Sequence, residues 1–351
     1  MNRRGYIDWL RGISVLIMIE AHTLDSWTRL SERGNALYGW AMIVGGFAAP
    51  AFLFLAGLSM ALAAGSRLRR GAPAEEAASL AASRGLQIFG LAFLFRLQSW
   101  LISGGGPAQV LLKVDILNVM GLAMLAAAIL WSFGRERRER AAWLIAGTVV
   151  IAMVTPIIRA TPLLTPLPDP IEWYIRPIPG RGTFTLFPWA AFLLAGGAVG
   201  LWLDAARTPP EERHVNLMLL VSGVTLTIAA YAASFLPPIY AQTSFWTTSP
   251  TFLFLRLGIL IASLPLAYGW NALWTGRSVL QEFGRASLFV YWIHVELVYG
   301  VLSGPLHKSL TLNHALVAYA LFSVAMFGAA KLKDRVLVWW NIGRLQPSGA
   351  L

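Results

Sequence analysis

The sequence contains no cysteine and unusually few charges. Asp, Glu, Lys and Arg make up 13% of the 351 residues, whereas hydrophobic residues make up 57%. A soluble domain averages about 25% charged residues. The lack of cysteine excludes disulfides, thiolate metal sites and a cysteine nucleophile. This composition predicts an integral membrane protein.

Apolar segments of membrane-spanning length recur along the whole chain. Windows of about 20 apolar residues, the length that crosses a bilayer as a helix, occur at 7–27, 39–64, 85–102, 110–132, 141–158, 185–203, 215–236, 251–272, 286–303 and 314–331. We predict an all-α, polytopic membrane bundle of about ten transmembrane helices. It forms a single domain over residues 1–351, with a tail over about 332–351. No small-residue cleavage site follows the basic start, so we expect no cleavable signal peptide.

The positive charges are distributed unequally between the two sets of loops. The formal net charge is +11, from 28 basic and 17 acidic residues. If the N-terminus is cytoplasmic, eighteen Lys and Arg residues fall on that side and six on the other. The positive-inside rule therefore predicts that both termini are cytoplasmic. We expect a bacterial inner membrane and a lipid bilayer as partner, and the basic patches require no nucleic acid.

The first apolar segment carries a stripe of polar residues. Alternating steps of three and four place Asp8, Arg11, His22 and Asp25 on one helix face, together with Val15 and Met18. Charged groups at membrane depth normally face the protein interior or a water-filled cavity. Asp25 follows His22 by one turn, so its carboxylate can orient the imidazole as a general base. Alternatively, His22 bonds a neighbouring helix and Asp8 with Arg11 forms a structural ion pair.

Other polar residues fall near the predicted outer ends of later helices. Arg96 lies towards the outer end of the third segment, while Asp115 and Asn118 lie near the start of the fourth. We expect these residues to face a cavity. Alternatively, Asp115 and Asn118, which are one turn apart, cap the start of a helix. His294 in the ninth segment can face the same cavity. The proline-rich loop from Arg159 to Thr185 is predicted to be an ordered lid, because its isoleucines and aromatics are untypical of disorder.

Several common functional motifs are absent from the sequence. It contains no nucleotide-binding glycine loop of the known kinds, and GLSMA at residues 57–61 lacks the second glycine of a serine elbow. No histidine pair has metal-ligand spacing, so we expect no metal. The histidine of the first segment is left as the best candidate for chemistry.

Three segments resemble a known family. The sequence is similar to the heparan-alpha-glucosaminide N-acetyltransferase catalytic-domain-like family in IDWLRG (residues 7–12) with His22, in PAFLFLAGLS (50–59) and in DILNVMGL (115–122). The wider membrane acyltransferase superfamily, including acyltransferase family 3, looks similar in GRASL (284–288) followed by Tyr291 and His294.

The resemblance implies a membrane-embedded acyltransferase. An acyl group, with acetyl the expected one, would move from cytoplasmic acyl-CoA to an extracytoplasmic sugar or related hydroxyl or amine. It implies His22 as general base with Asp25 as its orienting partner. The residues it suggests for the coenzyme phosphates are Arg11, Arg84 and Arg285, and those for a small-molecule or glycan acceptor are Asp115, Asn118, Arg96 and His294.

Two other functions fit the same residues. In a proton-coupled transporter or flippase, His22, Asp25, Arg96 and Glu296 would form a proton path. No paired repeats or matched broken helices of the transporter kind occur in the sequence. An inactive membrane scaffold is the third alternative, and the presence of both His22 and Asp25 weighs against it.

Overall fold

The chain folds into helices throughout its described parts. A computed structural model describes residues 4–182, 184–274, 276 and 278–345, with side chains described to residue 340. Within these residues there are thirteen α-helices and no β-strand. The helices are α1 Gly5–Trp27, α2 Ala36–Gly45, α3 Ala48–Arg69, α4 Ala74–Ile102, α5 Ile116–Phe133, α6 Arg137–Ala160, α7 Asp169–Ile175, α8 Leu186–Ala205, α9 Pro209–Ala233, α10 Pro250–Leu273, α11 Val279–Arg285, α12 Ser287–Tyr299 and α13 Leu312–Leu345.

The predicted membrane bundle is confirmed. Among the described residues, eight helical segments are long and apolar enough to cross a bilayer, with α2 and α3 together forming one of them. The other two predicted segments are α1, which is long but charged, and α12, which is apolar but has only 13 residues. Thirteen helical residues extend about 20 Å, less than a typical hydrocarbon core.

Several helix boundaries differ from the predicted ones. The second segment breaks at Gly46 and Phe47, so Pro50 lies in the first turn of α3, where its missing N–H costs little. The fourth segment was predicted from residue 110, but α5 begins at Ile116, after a short 3₁₀ turn. The tail predicted from about 332 continues α13 as helix to Leu345, and residues 346–351 lie outside the described residues.

The chain divides into two compact units. Unit 1 comprises residues 1–7 and 49–276, and unit 2 comprises residues 8–48 and 277–351. In unit 1, α4 packs on α5, α6 on α8 and α9 on α10. Unit 2 contains most of α1 together with α2 and α11 to α13.

Glycines allow the helices of unit 1 to approach one another closely. A methyl group added at Gly196 of α8 would overlap the carbonyl oxygen of Phe54 in α3, and one added at Gly57 would overlap that of Leu193. Gly200 lies against the same helix, with the carbonyl oxygen of Leu58 at 2.6 Å from an added methyl. These glycines form a small-residue face on α8 that allows close contact with α3.

The loop between α6 and α8 is ordered in its described residues. It contains the short helix α7, whose Trp173 is buried against Val114 and Val119. Aromatic and aliphatic side chains around this cluster fix the loop to the start of α5. Residue 183 lies outside the described residues.

In unit 2, α11 packs directly on α1. A methyl at Gly12 would overlap the carbonyl oxygen of Leu280, and one at Gly284 would overlap that of Asp8. These two glycines belong to the sequence segments IDWLRG and GRASL. A second cluster of Leu24, Tyr38, Leu312 and Ala315 joins α1, α2 and α13.

We expect Gly196→Ala to destabilise the protein. The added methyl must displace backbone in α3, and overpacking typically costs about 1–3 kcal/mol. Thermal unfolding in detergent measures the effect. Gly90→Ala is the matched control, because Gly90 lies in the interior of α4 with no atom within 4 Å of an added methyl. Equal melting temperatures for the two variants would contradict the close contact.

Candidate functional site

The polar stripe of α1 is the framework of the candidate site. It lies in unit 2 from Asp8 onward, and its apolar members Val15 and Met18 are buried. His22 and Asp8 are separated by 14 residues, which is about 21 Å along a helix. The stripe therefore carries two groups of polar residues, one at each end.

A pair of histidines forms the first group. His22 Nδ1 lies 2.8 Å from Nε2 of His294 on α12. The two rings are nearly parallel, with an angle of 6° between their planes. His294 is completely buried, whereas His22 is partly accessible.

The backbone fixes the protonation pattern of this pair. His294 Nδ1 lies 2.9 Å from the carbonyl oxygen of Val290, which can only accept a hydrogen bond. His294 therefore donates from Nδ1, and in its neutral form its Nε2 accepts. Complete burial favours that neutral form, because a buried charge loses its hydration. His22 then donates from Nδ1 and carries its lone pair on Nε2.

Asp25 has contacts other than the predicted one with His22. Its carboxylate accepts a hydrogen bond of 3.2 Å from the hydroxyl of Tyr299 and lies 3.5 Å from the guanidinium of Arg33. The Tyr299 ring packs edge-on against His22, with ring centroids 5.5 Å apart. Asp25 thus supports Tyr299, which contacts His22. His294 contacts His22 more directly than Asp25 does. The orienting role of Asp25 stays a prediction.

An arginine pair surrounds Asp8 at the other end of the stripe. Asp8 Oδ1 lies 3.1 Å from Arg11 and Oδ2 lies 3.8 Å from Arg285. The predicted Asp8–Arg11 ion pair is confirmed. The carboxylate is almost completely buried, whereas 54% of the Arg285 side chain is exposed. Asp8 therefore holds two guanidinium groups together while leaving donors of Arg285 available to an anion.

The remaining predicted site residues lie in unit 1. Arg96 pairs with Asp115 at 2.8 Å, and Asp115 and Asn118 cap the start of α5 reciprocally. The alternative of helix caps is confirmed, and a role in acceptor binding stays a prediction. Arg84 is exposed on α4 and donates to Gln87 at 3.2 Å. Its role in phosphate binding also stays a prediction.

A buried tyrosine lies beside this cap. Tyr174 of α7 lies close enough to Asn118 for the two side chains to interact. Burial raises the pKa of the Tyr174 hydroxyl to about 12, although the interaction with Asn118 opposes the rise. The hydroxyl is therefore neutral at physiological pH and acts here as a packing group.

No metal site is formed by the described residues. In that part of the chain, no group of three or more His, Asp or Glu side chains is placed to hold a metal ion. The two neighbouring histidines, His22 and His294, are hydrogen-bonded to each other. That the reaction requires no metal ion stays an expectation.

Comparison with known proteins identifies the family. Residues 3–234, about two thirds of the chain, match the family model described as heparan-alpha-glucosaminide N-acetyltransferase, catalytic. A comparison with individual curated proteins found no match. The matched part includes His22 and Arg11, whereas Arg285 and His294 lie beyond it. The chain belongs to the heparan-alpha-glucosaminide N-acetyltransferase catalytic-domain family, and it is a membrane enzyme of the acetyltransferase type.

Proposed function

We propose that the protein transfers an acetyl group from cytoplasmic acyl-CoA to a hydroxyl or amine on the outer side of a bacterial inner membrane. His22 is the general base. The observation that carries this proposal is the hydrogen-bond chain from Val290 through His294 to His22. In that chain Nδ1 of His22 donates and Nε2 carries the lone pair, on a side chain that is partly accessible.

His22 acts on the acceptor in this mechanism. Its Nε2 takes the proton from the acceptor hydroxyl or amine while that group attacks the thioester carbonyl. The new C–O or C–N bond forms, the C–S bond breaks, and the proton on His22 passes to the departing thiolate. These steps describe direct transfer. In the alternative with a transient acyl-histidine, Nε2 of His22 would itself attack the thioester and release the thiolate, and the acceptor would then displace His22 while its proton passes to the thiolate.

His294 has a positioning role in this mechanism. It is fully buried, and both of its ring nitrogens have partners, Val290 and His22. We therefore assign to it the orientation of His22 in place of the predicted contact with the acceptor. A neighbour that fixes the tautomer of a catalytic histidine also stabilises its protonated form.

Arg11 and Arg285 are the proposed phosphate-binding residues. Guanidinium groups bind phosphate through two parallel hydrogen bonds. Asp8 cancels one of the two charges and sets the spacing of the pair. Phosphates bound there would direct the thioester arm along α1 towards His22, eleven residues and about 16 Å further on. This geometry supports acyl-CoA entry from the predicted cytoplasmic end.

We expect His22→Ala to abolish transfer. A general base contributes about 10²–10⁴-fold to the rate, so the variant should turn over at least about 10²-fold more slowly than wild type. Acetyl transfer to an acceptor mixture is measured with radiolabelled acetyl-CoA, and gel filtration in detergent reports folding. Normal turnover by the folded variant would refute the assignment of His22.

We expect His294→Leu to lower kcat about tenfold or more with little change in the KM for acyl-CoA, because His22 loses the partner that fixes its tautomer. His294→Gln is the matched variant. The glutamine side-chain oxygen can accept the hydrogen bond from His22 Nδ1, so it should restore part of the rate. Equal loss in both variants would indicate a packing role only.

Arg285→Ala tests the phosphate site. We expect the Kd for acetyl-CoA to rise about tenfold or more, since a charge-assisted hydrogen bond contributes about 1.5–3 kcal/mol. Isothermal calorimetry in detergent measures binding. Arg70→Ala is the control, because Arg70 is also exposed and lies on the same predicted side. Equal weakening by both would show that only overall charge matters.

The same calorimetric experiment distinguishes the transporter alternative. A transferase must bind acyl-CoA, whereas a proton-coupled transporter that uses His22, Asp25, Arg96 and Glu296 has no need of it. Absence of binding by folded wild-type protein would favour transport, to be measured as uptake driven by a pH gradient in liposomes.

A further inference from the structure

Unit 1 contains a cavity that the mechanism above does not use. Its volume is about 560 Å³, within the range of small-molecule sites, about 300–1,000 Å³. The walls come from the segment before α5, the end of α6, the loop after α7, and the first turns of α8 and α10. The charge distribution predicts that this end of the helices faces the outer side of the membrane.

Three cations line this cavity, namely Lys113, Arg159 and Arg256. No aspartate or glutamate is among the described residues of the lining. Cations that converge on one cavity repel each other, and they are stable together when an anion joins them. The lining therefore has a strong preference for a negatively charged occupant.

Neutral partners hold Arg159 in place. Its guanidinium donates to the backbone oxygen of Phe187 at 2.7 Å and 3.0 Å and to the hydroxyl of Thr185 at 2.8 Å. These acceptors orient the group without cancelling its charge. Arg256 is held differently, with its guanidinium over the ring of Phe252 at 4.1 Å from the ring centre.

Lys113 is partly buried and lies close to another cation. Burial lowers the pKa of its ammonium group below the ordinary value, and nearby Arg96 lowers it further. Asp115 opposes the shift, but its carboxylate is already paired with Arg96. An anion in the cavity would supply the charge that Lys113 lacks.

The rest of the lining is aromatic and apolar. Trp189, Phe192, Trp246 and Phe252 contribute rings, and Pro177 and Pro179 come from the ordered loop after α7. A small inorganic ion would leave these surfaces without contacts. Rings stack on the faces of sugars and other cyclic groups, so the body of the ligand should be cyclic or apolar.

We propose that this cavity is a binding site for an organic anion, with a phosphate or carboxylate held by Lys113, Arg159 and Arg256 and a cyclic or apolar body packed on the tryptophans. A phosphorylated or acidic sugar and an anionic lipid headgroup share this chemistry. The proposal concerns binding alone and is independent of acyl transfer.

Ligand binding to the full-length protein in neutral detergent tests the proposal. Calorimetry with glucose 6-phosphate and glucuronate, and with uncharged glucose as the neutral control, measures recognition of the charge. Short-chain phosphatidylglycerol against short-chain phosphatidylcholine tests the lipid source. Acyl-CoA is omitted, so the result does not depend on the transfer reaction.

We expect at least one anionic probe to bind, and its neutral counterpart to bind at least tenfold more weakly. Lys113→Gln and Arg256→Gln should each weaken that binding tenfold or more, whereas Lys308→Gln, which removes an exposed charge on the same predicted side, should leave it unchanged. Binding of phosphatidylglycerol alone would identify a lipid site, and binding of a sugar anion would identify a soluble ligand.

Three outcomes would overturn the proposal. They are no binding of any anionic probe to folded wild-type protein, equal binding of charged and neutral probes, and equal weakening by Lys308→Gln and Arg256→Gln. Thermal melting curves confirm that each variant is folded, so that loss of binding is not confused with loss of structure.

Discussion

The close approach of α11 to α1 determines the arrangement of unit 2. Gly12 and Gly284 each lie against a carbonyl oxygen of the opposite helix, and no larger residue fits at either position. This contact brings Arg285 beside Asp8 and starts α12 at a fixed height on α1. Ten residues after Gly284, His294 then reaches the level of His22. The contacts at Gly12 and Gly284 thus help to position both the histidine pair and the arginine pair around Asp8.

The sequence predicted the elements better than the contacts among them. Hydropathy located the apolar segments, because the bilayer sets the length of a span and a long apolar run is visible in the local sequence, but it did not separate α2 from α3. The 3.6-residue period correctly placed Asp8 and Arg11 together. By contrast, His22 and His294 are 272 positions apart, and no local rule connects them. In the sequence, only the motif around Tyr291 and His294 indicated that His294 belongs to a functional site.

Asp25 illustrates why local spacing is an incomplete guide. One helical turn allows it to contact His22, but Arg33 and Tyr299 compete for the same carboxylate. Those competitors come from a loop and from a distant helix, so their positions depend on tertiary packing. Asp115 shows the opposite case. Its cap is a local structure, and the sequence included it among the alternatives.

The hydrogen bond from His294 to Val290 has a consequence for proton movement. If His22 gains a proton on Nε2, passing its other proton to His294 would create a cation at a fully buried position. The carbonyl oxygen of Val290, which accepts the hydrogen bond from His294 Nδ1, cannot take up a proton for onward transfer. The described hydrogen bond from His294 to Val290 therefore offers no route for passing a proton onward. On the proposed mechanism, a proton taken up by His22 therefore leaves from Nε2, the same nitrogen that received it.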